Sequence, residues 1–295
     1  MGNVPLISIV LPVWNGERYL GEALDSIIHQ SYGNFELIVV NDCSTDASLS
    51  IARSFAARDS RISVVSNELN LKLPASLNKG FSLARGAYFT WTSDDNRLER
   101  DFLKTLLHEL LTSDADLVYS DFNSIDDNGK ILNISPVGEA EGLVSQNTIG
   151  ASFLYKRTVH ETIGGYDVGK FLYEDYDFWV RAYLAGFRFK RLDCVVYNYR
   201  RHEGALTSTR RMPNEYPLYR FNLRRKFTRI SKRAAYDARE ILLGYRRELG
   251  TLKTFQVLVE ALWLNPQKTL QYILPKAKKV PSKLYFRILG RRIDP

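Results

Sequence analysis

The 295-residue chain is 45% hydrophobic and 25% charged, which excludes a disordered tract or a collagen-like fibre and leaves room for one large domain or a domain with an appendage. Its two cysteines, Cys43 and Cys194, lie far apart, which excludes a disulfide scaffold or a cysteine metal site and suits reduced thiols in the cytosol. The net charge of +8 hides a division: residues 200–295 hold 23 Lys and Arg against 7 Asp and Glu, leaving 18 against 26 in residues 1–199, so two physically different regions meet near residues 205–215.

Met1–Pro5 lack a basic leader and run into Ile7–Leu11, an apolar run rich in β-branched residues that predicts a buried strand. Leu20, Ala23, Leu24, Ile27 and Ile28 recur at helical spacing and predict a helix over 17–30. Leu37–Val40 predicts a second buried strand, and Ser44 or Asp46 suits the cap of a following helix with Leu49, Ala52, Phe55 and Ala56 inward. Ile62–Val65 predicts a third strand. Pro74 suits the first turn of a helix carrying Leu77, Phe81 and Ala84, and Tyr88–Thr92 predicts a fourth strand.

Strands alternating with helices predict an α/β fold with a parallel sheet, in which ligands sit at the carboxyl ends of the strands. Asn15, Asn41-Asp42 and Asp94-Asp95 fall at those ends. After about residue 116 the pattern changes. Asp127-Asn128-Gly129 predicts a turn between short strands, and Ala151–Tyr155 predicts another strand. Glu174–Ala185 predicts a helix, and Phe187–Leu192 with Val195–Arg200 predict a pair of strands. The second half therefore completes a mixed sheet.

Four groups of residues carry possible chemistry. Two adjacent carboxylates, Asp94 and Asp95, are costly after a buried strand unless a cation or donors neutralise them; a hard divalent ion takes such oxygens and bridges them to a diphosphate, and the alternative is a solvated turn. Asp42 with Asn41 and Ser44 suits hydrogen bonds to a base or ribose, or else caps a helix. Gly164-Gly165-Tyr166-Asp167 and Glu174-Asp175-Tyr176-Asp177-Phe178-Trp179 set acids among aromatics, surroundings that favour the raised carboxylate pKa suited to a general base; the alternative is that these acids complement a helix dipole. Tyr199-Arg200-Arg201-His202 offers a histidine ligand and arginines for phosphate, or simply a charged surface.

Order and spacing decide among these. Ser8-Ile9-Val10-Leu11-Pro12-Val13-Trp14-Asn15, Glu36–Asp42 with Ser44-Thr45-Asp46, Asn70–Ala75 with Asn78-Lys79-Gly80, Ala84–Tyr88, Asp94-Asp95, Glu174-Asp175-Tyr176-Asp177 and Tyr199–Gly204 together resemble the family 2 glycosyltransferases, over about residues 6–207. The resemblance implies the GT-A (Rossmann-like) fold, a mixed sheet flanked by helices, and an inverting transferase moving one sugar from a nucleotide-sugar donor, with a UDP-sugar favoured. It implies donor binding by Pro12, Val13, Asn15, Asp42, Lys72, Asn78 and Asp94. Asp95 and His202 would hold Mg²⁺ or Mn²⁺, and Asp175 would act as the general base. Gly165, Tyr166, Glu174 and Trp179 would stand on the acceptor side. Two departures stand out: Thr92 replaces an acid of the longer acidic motif, and Lys72 replaces the usual glycine. The motif of processive synthases is absent, which favours single-sugar addition. A sugar nucleotidyltransferase would want a Gly-rich basic loop after the first strand, where Pro12–Glu17 stands, and a non-catalytic nucleotide-sugar scaffold would not need Asp95 or Asp175.

The division at residue 212 predicts a catalytic domain over 1–212 and a basic, mostly helical region over 213–295. No apolar run there approaches the roughly 20 residues of a membrane span; Phe255–Leu264 is interrupted by Gln256 and Glu260. Basic residues interleaved with Tyr219, Phe221, Trp263 and Tyr285 suit an interfacial membrane helix; the competing expectation is a helical cap with a solvated basic face. The expected partners are the donor, a glycan or lipid-linked acceptor and an anionic membrane surface, with no nucleic acid. The expected location is the cytoplasm, with peripheral attachment to the inner face of the cell membrane.

Overall fold

The computed structural model describes residues 4–144, 146–209 and isolated positions beyond; the expectations for the basic region 213–295 fall almost wholly outside the described residues. The described fold belongs to a unit spanning Met1–Met212. Its first half is the parallel set β1 (Ile7–Val13), β2 (Phe35–Asn41), β3 (Ile62–Ser66) and β4 (Tyr88–Trp91). The connecting helices are α1 (Leu20–Ile28), α2 (Ser48–Ala56) and α3 (Lys72–Leu83). β1 and β2 are buried at every residue, because helices cover both faces of a parallel sheet, and this explains why their sequences are mostly apolar instead of alternating.

The helix over 17–30 begins three residues later than its apolar spacing suggests, at Leu20. The reason is local. The Glu17 amide donates to Asp46 (3.0 Å), and Glu17 Oε2 accepts from the Ala47 amide (2.8 Å), so residues 14–17 tie the β1 loop to the β2 loop instead of winding into helix. Leu20, Ala23, Leu24 and Ile27 face Ile9, Leu11, Leu37 and Val39 in the main core. Each fully buried aliphatic side chain there contributes about 1.5–3 kcal/mol.

The second half adds β5 (Arg97–Leu98), α4 (Phe102–Thr112), β6 (Leu117–Ile125), β7 (Ile131–Ser135), β8 (Phe153–Lys156), α5 (Arg157–Ile163), α6 (Glu174–Leu184) and β9 (Phe189–Arg200). Nine strands among the described residues form one mixed sheet in the order β3-β2-β1-β4-β8-β6-β9-β5, with β7 paired to β6 beyond that path. β8 runs antiparallel to β4 and β6.

The expected pair of strands over 187–192 and 195–200 is instead the single strand β9, parallel to β6 and antiparallel to β5. The register jumps from Ser120–Leu192 to Asp121–Val195. Asp193 and Cys194, which separate the two expected strands, are therefore the extra residues of a bulge. The expected turn at Asp127-Asn128-Gly129 does join β6 to β7, with Gly129 at φ 81°.

Candidate active site

The chain passes from β1 out to β2 and β3, then crosses back to place β4 on the other side of β1. The carboxyl ends of β1 and β4 thus flank a topological switch point, the usual place for a ligand in such a sheet. Both ends deliver polar residues there. Pro12 and Val13 are buried; the Val13 carbonyl accepts from the Asp42 amide (2.8 Å). Asn15 sits at φ 54°, with its amide donating to Ser44 Oγ (3.1 Å) and its Oδ1 accepting from the Thr45 amide (2.8 Å). Trp14 beside it is 49% exposed. At Gly16 a Cβ would collide with Asp94 Oδ2; only glycine lets the β1 loop approach the acid this closely.

Asp42 is buried, and its carboxylate accepts from Asn67 Nδ2 (2.7 Å), the Leu71 amide (2.8 Å) and the Lys72 amide (2.9 Å). It therefore shapes the 67–72 segment from within. Lys72 holds φ 69°, which accounts for the glycine usual at this position, and its ammonium lies over the Phe171 ring at 5.2 Å.

Ser93-Asp94-Asp95 form a turn after β4, well before the helix at Phe102. Burial and the adjoining Asp95 push the Asp94 carboxyl up, and burial raises Asp95 while His202 opposes the rise. His202 Nε2 lies 3.1 Å from Asp95 Oδ2, and its ring packs edge-on against Tyr19 at 5.0 Å. Thr92, in the place of a third acid, is buried with its hydroxyl 2.7 Å from that of Tyr197. Arg200, expected to meet phosphate, is instead 1% exposed. It bonds Glu22, the Asp95 carbonyl (2.9 Å) and the Asp127 carbonyl (2.8 Å), so it braces the acidic turn from behind.

The Glu174-Asp175 pair opens α6. Asp175 Oδ1 accepts from the Tyr176 amide and Oδ2 from Asn147 Nδ2, both at 2.7 Å. Burial pushes its carboxyl up; the Tyr176 amide and Asn147 pull the other way. Glu174 is buried with Oε2 unbonded among the described residues, and burial and Asp175 push its carboxyl up to about 8. Tyr166 is 2% exposed and touches Trp91, just before the acidic turn, at 6.4 Å.

The loop carrying Gly165 and Tyr166 is clamped by Asn78. Its Nδ2 donates to the Tyr166 carbonyl and its Oδ1 accepts from the Tyr166 amide, both at 2.7 Å. A Cβ at Gly165 would collide with that amide group. Asn78, expected on the donor side, thus spends its amide on this clamp. Trp179, expected on the acceptor side, is fully buried against Phe153 (4.6 Å) and Phe178 (5.1 Å) and offers no face to a sugar; it lies on the core stripe of α6.

The arrangement brings Asp94, Asp95 and His202 to one edge and sets Asp175 on the neighbouring helix start. Among the described residues no three His, Cys, Asp or Glu side chains converge as a metal cage. Asp95 with His202 nonetheless suits a hard cation, since Mg²⁺ keeps several waters and takes one or two protein ligands plus phosphate oxygens. Asn147, Gly16 and the bracing role of Arg200 were not legible as site features, because each depends on a partner distant in sequence.

A model of glycosyl transferase family 2 matches residues 8–175. The putative glycosyltransferase EpsE of Bacillus subtilis is 32% identical over 217 residues, covering 70% of this chain and 76% of EpsE. Glycosyltransferase GlyA of Streptococcus pneumoniae is also 32% identical, over 220 residues and 68% of this chain, but this chain covers only 31% of GlyA. Among solved structures, S. aureus TarS 1–349 in complex with UDP-GlcNAc superposes with TM-score 0.65 at 19% identity, covering 89% of this chain and 82% of that one. The mannosyltransferase PcManGT from Pyrobaculum calidifontis, in complex with GDP-Man and Mn²⁺, superposes with TM-score 0.56 at 16% identity, covering 98% and 80%. These structural likenesses establish a shared fold.

Proposed function

The chain belongs to glycosyl transferase family 2, and on that footing we propose that it is a metal-dependent inverting glycosyltransferase. It moves a single sugar from a nucleotide-sugar donor, a UDP-sugar by preference, to an acceptor hydroxyl in surface polysaccharide or glycolipid assembly. The observation that carries this reading is the pair of adjacent half-buried acids after β4, with Asp94 against the Gly16 backbone and Asp95 3.1 Å from His202. Such a pair resists ionisation together unless a cation joins it. The UDP-GlcNAc and GDP-Man complexes of the structural neighbours support a nucleotide-sugar donor, and the Mn²⁺ of one supports the metal.

In this reading Asp95 and His202 would hold Mg²⁺ or Mn²⁺, which when bound would supply positive charge to a departing diphosphate. Pro12, Val13, Asn15 and the 67–72 segment held by Asp42 enclose the nucleoside, and Asp94 faces the ribose. Lys72 stands by the phosphates. On the other side Asp175 takes the proton of the acceptor hydroxyl. That oxygen bonds to the anomeric carbon from the face opposite the diphosphate, whose bond breaks and carries off the electron pair, so the anomeric configuration inverts. Glu174, kept neutral by burial, leaves a single negative charge beside the reacting hydroxyl. Gly165 and Tyr166 shape the acceptor wall. Residues 1–212 form the catalytic domain, and the basic region 213–295 brings it to an anionic membrane face.

A panel of UDP-, GDP- and dTDP-sugars assayed for hydrolysis with Mn²⁺ tests the reading. At least one donor is expected to be cleaved, with loss of 100-fold or more in Asp95→Ala, as for other single catalytic groups. Full activity in that variant would remove the metal assignment; binding without cleavage of any donor would leave a non-catalytic binder.

A further inference from the structure

The base assigned to Asp175 needs a fixed orientation, and the first turn of α6 supplies only part of it. The Tyr176 amide holds Oδ1 at 2.7 Å, a contact the carboxylate makes with its own backbone neighbour. The second oxygen is held from outside the helix. Asn147 Nδ2 donates to Oδ2 at 2.7 Å, while Asn147 Oδ1 accepts from the Ile149 amide at 3.3 Å. Both contacts agree on which end of the amide faces the carboxylate. Among the described residues no other side chain donates to Asp175.

The segment carrying Asn147 is fastened to its surroundings at several points. The Tyr176 hydroxyl donates to the Leu143 carbonyl at 2.6 Å in a buried contact, so the single turn at Ala140–Val144 is pinned to α6 one residue beyond Asp175. Thr148, next to Asn147, is buried; its hydroxyl donates to the Glu139 carbonyl (3.0 Å) and its carbonyl accepts from the Gly138 amide (3.0 Å). Asn147 therefore sits on an anchored arch.

We propose that Asn147 is a positioning residue that fixes the Asp175 carboxylate in one rotamer, with Oδ1 and Oδ2 each occupied and the remaining lone pairs directed to the acceptor hydroxyl. The inference rests on the reading of Asp175 as the base. A hydrogen bond from a neutral amide to a carboxylate favours the charged form. Removing it weakens the base's hold on its ionised state as well as its aim. The ionisable groups around Asp175 are Glu174 on the same helix and Tyr166 from the preceding loop. The elements packed on α6 also bring Glu141 from the Ala140–Val144 turn, His160 from α5, and Asp167 and Lys170 from the Val168–Lys170 region. None of these replaces the Asn147 donor.

The test follows the Asp175 carboxyl carbon by NMR in the full chain labelled with ¹³C-aspartate, the signal being identified by its loss in Asp175→Asn. In Asn147→Leu the titration midpoint of that signal is expected to rise by about one pH unit, the size of a lost hydrogen bond to a charged group. In Asn147→Asp, which keeps the shape and adds a like charge, it is expected to rise at least as far. With whichever panel sugar the wild type cleaves, the acid limb of the pH–rate profile should move up in step. At low pH the rate should fall about tenfold, and it should recover in alkali; a merely structural loss would lower the rate at every pH. An unmoved midpoint in both folded variants overturns the proposal. A moved midpoint combined with full activity in Asp175→Asn would leave the positioning contact standing and remove the base assignment instead.

Discussion

Four residues other than glycine hold positive φ among the described residues: Asn15 (54°), Cys43 (61°), Lys72 (69°) and Leu172 (79°). Asparagine tolerates this region; lysine and leucine do so at a cost of roughly 1–2 kcal/mol. Asn15 and Cys43 follow β1 and β2, Lys72 opens α3, and Leu172 lies two residues before Glu174, so local strain gathers around the candidate site, as it does at functional sites generally. Lys72 gives a direct check. Lys72→Gly and Lys72→Ala both remove the ammonium over Phe171, but only glycine relaxes the backbone. Lys72→Gly is therefore expected to be about 1 kcal/mol more stable than Lys72→Ala, read from urea midpoints. Equal stabilities would mean that the carboxylate of Asp42, gripping the Lys72 amide, sets the conformation at no cost. The departure from glycine at this position is plain in the sequence; that the reason is a φ angle is not, because the angle follows from Asp42, thirty residues away.

At the scale of elements, α5 and α6 enclose an aromatic layer with His160 inside it. Its ring lies 4.9 Å from Phe81, 5.6 Å from Phe89 and 5.7 Å from Phe178. Burial, with Arg181 nearby, pushes the His160 pKa down to about 4. The folded state then binds fewer protons here than the unfolded state, so this site's contribution to stability is unchanged above the unfolded pKa, near 6.5, and is lost as pH falls from there to about 4. The size is on the order of 1–3 kcal/mol. His160→Gln is expected to flatten the fall of the urea midpoint over that range; an identical pH dependence would place the titration elsewhere. Elements were unevenly legible. The runs Ile7–Leu11 and Leu37–Val40 declare buried parallel strands because both faces are covered. The Asp193-Cys194 break splits one strand into two in the sequence because the extra residues of a bulge interrupt the strand pattern. Trp179 beside the Glu174-Asp175 motif reads as a sugar platform until the stripe of α6 that faces the core is known.

For the whole molecule, the charge division separates an acidic region 1–199 from the strongly basic region 200–295. Each basic residue near an anionic bilayer adds about 1 kcal/mol of attraction. The full chain is expected to sediment with vesicles containing phosphatidylglycerol and to remain in solution with phosphatidylcholine alone, while residues 1–212 remain in solution with both. Equal partitioning of the two forms would favour a helical cap with a solvated basic face.

β9 is the last strand of the sheet in chain order among the described residues. It lies between β6 and β5, yet it ends at residue 200, whereas β6 is complete by residue 125. On a ribosome adding about 5–20 residues each second, the facing edges of β6 and β5 wait roughly 4–15 s for their partner. Over that interval the acidic turn lacks Arg200 and His202, so the nascent protein makes neither the bond to the Asp95 carbonyl nor the contact with the Asp95 carboxylate. On the proposed reading, catalytic competence waits for that strand and the two residues after it, and until then the unpaired edges of β6 and β5 are exposed to aggregation.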